Sequence, residues 1–201
     1  MKLPKGTVIP ERKFFLRDTT EVAKDLLGHF LYVEKKDGRI GGRIIETEAY
    51  LFRDDPACHA ARGLTERNKT MFKAGGVVYV YFIYGVHHCL NLVTEPEGKG
   101  TAVLIRAIEP IEGVDVMFRN RPGITTIENL ANGPGRLTRA MGITREDDGT
   151  DLLTGHIRVF LDPTLKKHKP KIVTTTRIGI QQGSDKMLRY YIANHPCISR
   201  R

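Results

Sequence analysis

Arg43-Ile44-Ile45-Glu46-Thr47-Glu48-Ala49-Tyr50 is the stretch whose reading decides the fold. Its apolar and polar residues alternate with a period of two, which predicts a strand carrying Ile44, Glu46, Glu48 and Tyr50 on one face. Two carboxylates and a tyrosine on one surface suit acid–base chemistry, although a half-buried strand with a wet polar face alternates in the same way.

Upstream, Phe30 to Glu34 reads as a strand, and Asp37-Gly38 suits a type I′ turn, so the carboxylate strand is half of a hairpin. Before it, Asp18 is expected to cap a helix with Glu21 as capping-box partner, an apolar stripe of Val22, Ala23, Leu26 and Leu27, and Gly28 at its end. Downstream, periodicity vanishes from Leu51 to Lys73. Asp54-Asp55-Pro56 predicts the N-cap and first turn of a short helix carrying His59. Arg62, Arg67, Lys69 and Lys73, among Gly, Thr and Asn, could hold phosphates or form a solvated loop.

Val77 to Ile83 and Val86 to Val93 predict a second hairpin, with Tyr79 and Tyr81 on one face and Tyr84 at its tip. On the returning strand His87, Cys89 and Asn91 share a face. The adjacent His87 and His88 point to opposite sides and cannot chelate one metal together. Thr101 to Ala107 predicts a strand in which Arg106 needs a carboxylate partner, with Glu46 and Glu48 as candidates. Helices are expected from Pro110 to Arg119 and from Thr126 to Ala131. Asn132-Gly133-Pro134-Gly135 should open a third, where free N–H groups beside Arg136 and Arg139 could seat a phosphate or form an ordinary turn. Strands near Ile157 to Leu161, Ile172 to Ile180 and Leu188 to Ile192 complete the chain, with a basic loop around Lys166 to Lys171.

The 201 residues suffice for one sizeable core, and no break in composition divides residues 1–201 into two domains. A formal charge of +9 and a pI near 9.6 favour a polyanionic partner, unless they serve solubility alone. Three cysteines without C-x-x-C spacing suggest neither a disulfide framework nor a zinc knuckle, which fits a reducing compartment. The N-terminus has no signal-peptide core, and no segment reads as a membrane span.

These motifs together resemble a known family. The run from Arg43 to Tyr50, then His59, Y-V-Y-F-I-Y-G from Tyr79 to Gly85, Asn91, L-I-R-A-I-E-P from Leu104 to Pro110 and N-G-P-G-R-L from Asn132 to Leu137 are similar, in order and spacing, to the mammalian-type alkyladenine or 3-methyladenine DNA glycosylases. The resemblance implies one mixed α+β domain built on a curved, mostly antiparallel sheet flanked by helices, similar to the C-terminal domain of formyltransferases. It implies removal of alkylated or deaminated purines, namely 3-methyladenine, 7-methylguanine, hypoxanthine and ethenoadenine, from double-stranded DNA without metal or cofactor. A monomer in the bacterial cytoplasm at the nucleoid, or in a eukaryotic nucleus, is expected.

Carried over by position, Glu48 and Arg106 are the expected catalytic pair, activating and holding water. Tyr50, His59, Tyr81 and Asn91 are the expected base pocket, with Asn91 obstructing the amino group of guanine. Tyr84 is expected to fill the gap left by the extruded nucleotide, with Thr65, Arg67, Gly133, Gly135 and Arg136 as further DNA contacts. Val86 and His87 stand where mammalian members carry bulkier residues.

The chemistry follows from the residues. Extruding a base costs a few kcal/mol, and aromatic walls recover about 1–3 kcal/mol per stack. Cation–π attraction favours a charged, alkylated purine. A carboxylate at Glu48 can stabilise the developing sugar cation and accept the proton of water, giving one hydrolytic step without a Schiff base. Two other classes fit parts of the pattern. Carboxylates at i and i+2, roughly 7 Å apart, suit an inverting glycoside hydrolase, and the charge with interleaved tyrosines suits a non-catalytic nucleic-acid binding module.

Overall fold

The computed structural model describes residues 3–36, 38–83 and 85–199. The long second strand organises it. The strands are β1 (Phe30–Lys35), β2 (Gly38–Tyr50), β3 (Val78–Ile83), β4 (His87–Thr94), β5 (Thr101–Glu112), β6 (Ile157–Phe160), β7 (Ile172–Thr175) and β8 (Arg189–Ile192). The α-helices are α1 (Thr19–Asp25), α2 (Val114–Asn120) and α3 (Pro134–Met141). All pairings between these strands are antiparallel, in the order β3-β4-β5-β2-β1-β6, and β8 joins β2 to β7. This is the mixed α+β, curled antiparallel architecture expected from the sequence.

One edge of β2 serves two neighbours. Gly38 to Arg43 pair with β1 and Glu46 to Glu48 pair with β8, while the opposite edge runs along β5 from Gly41 to Tyr50. The register against β5 shifts at Gly41/Gly42, Ile44/Glu46 and Glu46/Thr47, and such irregularities bend a strand and strengthen its twist. At Gly42 a Cβ would fall 1.8 Å from the Glu109 carbonyl oxygen, so only glycine permits that approach.

The shift at Ile44/Glu46 corrects the simple alternation. Ile44 lies in the main core with Val22, Ala23, Ala49 and Val103, whereas Glu46 and Glu48 bond to Arg106 on the other side. The shared face therefore begins at Glu46. On the core side the Thr47 hydroxyl donates to the Ala23 carbonyl at 2.8 Å, tying β2 to α1. Asp18 caps that helix by accepting from Thr20 N and Glu21 N at 2.8 and 3.2 Å. The return bond from Glu21 does not form, because that side chain stays in solvent. Each large apolar side chain so buried contributes about 1.5–3 kcal/mol over exposure.

Four boundaries differ from the sequence reading. Strand β5 continues through Pro110 to Glu112, since that proline sits opposite Gly42 at a register shift, a position where a missing N–H is tolerated; α2 starts only at Val114. Thr126 to Ala131 yields a single 3-10 turn, Ile127–Asn129. Asp54 to Ala61 forms successive turns instead of a helix, because the Asp55 carboxylate is drawn inward to Arg177 and cannot cap. Strand β7 ends at Thr175, and the chain from Arg177 to Ile180 leaves the sheet. The β1–β2 hairpin forms as expected, with Lys35 opposite Gly38, while Asp37 of its turn lies outside the described residues.

Candidate active site

The polar face of β2 looks into a cavity of about 290 Å³. Its walls come from β2 (Tyr50), β3 (Tyr79, Tyr81), β4 (Cys89, Asn91) and β5 (Leu104, Arg106), with His59 from the turn segment, Pro134 and Gly135 from the start of α3, and a strap from Ile178 to Ile180. Alternation along β3 delivers both tyrosines to one face. Their rings lie 5.6 Å apart, and the His59 ring packs against Tyr81 with a centroid separation of 4.3 Å.

His59 Nδ1 lies 3.1 Å from the Tyr79 hydroxyl. Burial, then the charge of Arg67, lowers the His59 pKa and keeps the imidazole neutral, while burial pushes the Tyr79 phenol up to about 12. Asn91 donates its amide to the carbonyls of Tyr79 and Cys89 at 3.1 and 3.4 Å, so its orientation is fixed. Burial and the neighbouring Glu48 raise the Tyr50 phenol well above its ordinary range, and burial together with Cys89 does the same for Tyr81. Both phenols are hydrogen-bond donors near neutral pH.

Glu48 has no exposed surface and stands one layer behind the cavity wall. Its Oε2 accepts from the Tyr50 hydroxyl at 2.9 Å, and its Oε1 accepts from Ile178 N at 2.9 Å beside Arg106 Nη1 at 3.2 Å. Its hydrogen-bond donors are Tyr50 and Ile178, one on each oxygen, with Arg106 as an ion pair, and since a carboxylate offers about four acceptor positions Oε2 keeps room for a further donor. Glu46 is more heavily bonded. It accepts from Arg106 Nε at 3.1 Å, Arg189 Nε at 2.7 Å, and Ser199 N and Oγ at 2.7 and 2.8 Å. Burial works against the Arg106 charge, but Glu48 and Glu46 hold its pKa above the ordinary value. The expected carboxylate partners of Arg106 are therefore both engaged.

Of the residues singled out from sequence, Tyr50, His59, Tyr81, Asn91, Arg106 and Gly135 meet around this cavity. Thr65 and Arg67 line a small adjoining depression with His59 and Tyr79. Asn68 fixes their loop by accepting from Thr65 N at 2.7 Å and donating to the His59 and Gly63 carbonyls at 2.9 Å. Gly133 and Arg136 flank Pro134 and Gly135 at the start of α3 without lining the cavity, and Arg136 donates to Asn132 at 2.8 Å. Tyr84 lies outside the described residues, between β3 and β4.

Sequence reasoning missed Tyr79, the strap, and the Arg177–Asp55 pair that anchors it. Tyr79 was legible by its spacing from Tyr81; the strap was not, since its residues read as a continuation of β7. Among the described residues no group of three or more His, Cys, Asp or Glu is arranged to hold a metal, and no helix is long and apolar enough to cross a membrane. Cys58, Cys89 and Cys197 are free and buried.

Aromatic walls around a cavity of this size suit a nucleobase. The family profile described as methylpurine-DNA glycosylase matches residues 13–196. A protein of Methanocella arvoryzae is 47% identical over 198 residues, covering 96% of each chain. One of Methanoculleus marisnigri is 48% identical over 189 residues, covering 94% of this chain and 97% of its own. One of Prosthecochloris aestuarii is 45% identical over 196 residues, covering 97% and 92%. All three are provisionally named 3-methyladenine DNA glycosylases. The chain belongs to the methylpurine-DNA glycosylase family, as its motifs led us to expect.

Proposed function

We propose that this protein is a monofunctional DNA glycosylase that extrudes methylated purines from duplex DNA and hydrolyses their N-glycosidic bonds, leaving an abasic site. The observation that carries the reading is Glu48, fixed by Tyr50, Ile178 and Arg106 behind an aromatic cavity with room on Oε2 for a further donor. A water held there against Arg106 gives a proton to Glu48 as its oxygen bonds to the sugar carbon. The C–N bond breaks and its electron pair leaves with the base, neutralising the charge of a 3- or 7-methylated purine. Glu48 also stabilises the positive character that develops on the sugar.

Tyr50, Tyr81 and His59 grip the base by its faces, and Asn91 stands where the amino group of guanine would have to fit. With the Tyr79 hydroxyl donating to Nδ1, His59 carries its proton on Nε2 and offers it to the six position of the base. The same contacts would admit hypoxanthine and ethenoadenine, which lack that amino group. Tyr84 fills the gap in the helix. Thr65, Arg67, Gly133, Gly135 and Arg136 hold the backbone around the mouth, and the protein works as a monomer at the nucleoid or in a nucleus. No lysine lines the cavity among the described residues, which favours direct hydrolysis over a Schiff base. The four hydrogen bonds that hold Glu46 to Arg106, Arg189 and Ser199 count against a pair of carboxylates working as in a glycoside hydrolase.

The test uses duplexes bearing a methylated purine, hypoxanthine or ethenoadenine, incubated with wild type or Glu48→Gln and then treated with hot alkali. Alkali-dependent breaks from the wild type alone support the reading, and the set of cleaved lesions defines its range. Salt-sensitive binding without breaks on any duplex would make the protein a binding module.

A further inference from the structure

Arg177 and Asp55 lie beside the cavity and touch none of the space proposed for the base. Both side chains have no exposed surface. Arg177 donates through Nη1 and Nη2 to the two carboxylate oxygens of Asp55 at 2.6 and 2.5 Å, and through Nη1 to the Ala49 carbonyl at 3.0 Å. Asp55 in turn accepts from Leu51 N at 3.0 Å. The pair thus bolts the segment after β7 to the end of β2.

Two consequences converge on Glu48. The residue after Arg177 is Ile178, whose N–H donates to Glu48 Oε1 at 2.9 Å. The guanidinium carbon also lies 4.6 Å from the centre of the Tyr50 ring, and the Tyr50 hydroxyl is a second donor to Glu48. Among the described residues Arg177 Nε is buried without a hydrogen-bond partner, so the guanidinium is held by Asp55, Ala49 and the Tyr50 face.

We propose that the Arg177–Asp55 pair is a positioning clamp that sets the Ile178 N–H and the Tyr50 hydroxyl against Glu48, governing the rate of glycosidic hydrolysis and not affinity for DNA. The proposal rests on Glu48 being the base. Misplacing a reacting group by about 1 Å can cost on the order of 100-fold in rate, which sets the scale of the effect. Lysine keeps the charge opposite Asp55 but can neither bond it at two points nor lie flat on Tyr50.

Arg177→Lys, Asp55→Asn, Gly179→Ala and Glu48→Gln are compared with wild type. The readouts are single-turnover release from methylated duplex DNA, and the Kd for a duplex bearing a tetrahydrofuran abasic-site analogue. Arg177→Lys and Asp55→Asn should hydrolyse about 10- to 100-fold slower, at assay temperatures well below their melting points, with Kd within about 3-fold of wild type. Gly179 has a φ of +78° and open space around it, so alanine strains the strap without disturbing the core, and a rate loss of a few-fold is expected. Folded clamp variants with wild-type rates, or with rate and affinity lost in proportion, overturn the proposal. Should neither clamp variant fold, a wild-type rate in Gly179→Ala overturns it, since the pair then serves folding alone. Hydrolysis surviving in Glu48→Gln refutes the base instead; its loss there with full rate in Arg177→Lys refutes only the clamp.

Discussion

Glu46 and Glu48 stand two residues apart on one face of β2 and share Arg106, yet their surroundings diverge. Around Glu46, β8 contributes Arg189 and the C-terminal segment folds over to contribute Ser199, so that with Arg106 it accepts four hydrogen bonds. Around Glu48, the neighbours Tyr50, Ile178 and Arg106 are themselves cavity walls, and Oε2 keeps room for a further donor. Residue type and spacing are the same for both. A buried carboxylate is structural or available for chemistry according to how many donors hold it and where those donors lead.

Removing the more heavily bonded member should have the largest effect on stability. Glu46→Ala leaves Arg189 without the carboxylate that its Nε meets at 2.7 Å and takes one of two carboxylates from Arg106. A loss of about 3–5 kcal/mol in urea denaturation is expected, the scale for breaking a buried pair from one side. A loss below about 1 kcal/mol would mean that the C-terminal closure contributes little.

Acid sensitivity at mildly low pH is expected from His29. Burial pushes its pKa down to about 4, and its Nδ1 accepts from Asp162 N at 3.0 Å, a bond that the protonated ring cannot accept. A folded-state pKa below the unfolded value of about 6.5 means that the unfolded chain takes up the proton first. Stability is therefore full above about pH 6.5 and falls by up to about 3 kcal/mol as pH drops toward 4. In His29→Asn, whose side-chain oxygen can still accept, that part of the slope should vanish from melting curves between pH 7 and 4.5.

Ser199→Ala is a finer cut at the Glu46 side. It deletes the hydroxyl between Glu46 and Arg106 but keeps the Ser199 N–H, so about 1 kcal/mol of stability and little of the rate should be lost. At the cavity mouth, Gly135→Ala places a Cβ 2.8 Å from the His87 ring. Its effect on melting should be the smallest of the series, because the ring lies at an exposed residue, whereas Kd for abasic-analogue DNA should rise by a few-fold. An unchanged Kd would separate the start of α3 from the DNA interface.

The reach of the sequence can be judged on these same residues. Strand β2, the hairpins around it, the capped α1 and the need of Arg106 for Glu46 and Glu48 follow from short-range alternation and from the cost of an unpaired buried cation. Family motifs then gathered Tyr50, His59, Tyr81, Asn91 and Arg106 before the cavity was seen. Which carboxylate is the more heavily bonded could not be read, since the deciding donors, Arg189 and Ser199, stand 143 and 153 residues away in the chain. The strap was hidden for a different reason: Ile172 to Ile180 looks like one strand, and only the ion pair of Arg177 with Asp55 shows where the chain turns away. That same pair removed Asp55 from the helix cap that its neighbours suggested.

The central claim is that Glu48 activates water while Glu46 supports the fold. Glu46→Gln and Glu48→Gln should therefore be measured side by side, for melting temperature and for single-turnover release of methylated purines per folded molecule. With the base at Glu48, Glu48→Gln loses about 1,000-fold or more in rate per folded molecule, while Glu46→Gln melts lower than wild type and keeps its rate within about 10-fold. A Glu48→Gln protein that still releases bases at a near wild-type rate, or a folded Glu46→Gln protein that does not, would contradict that division.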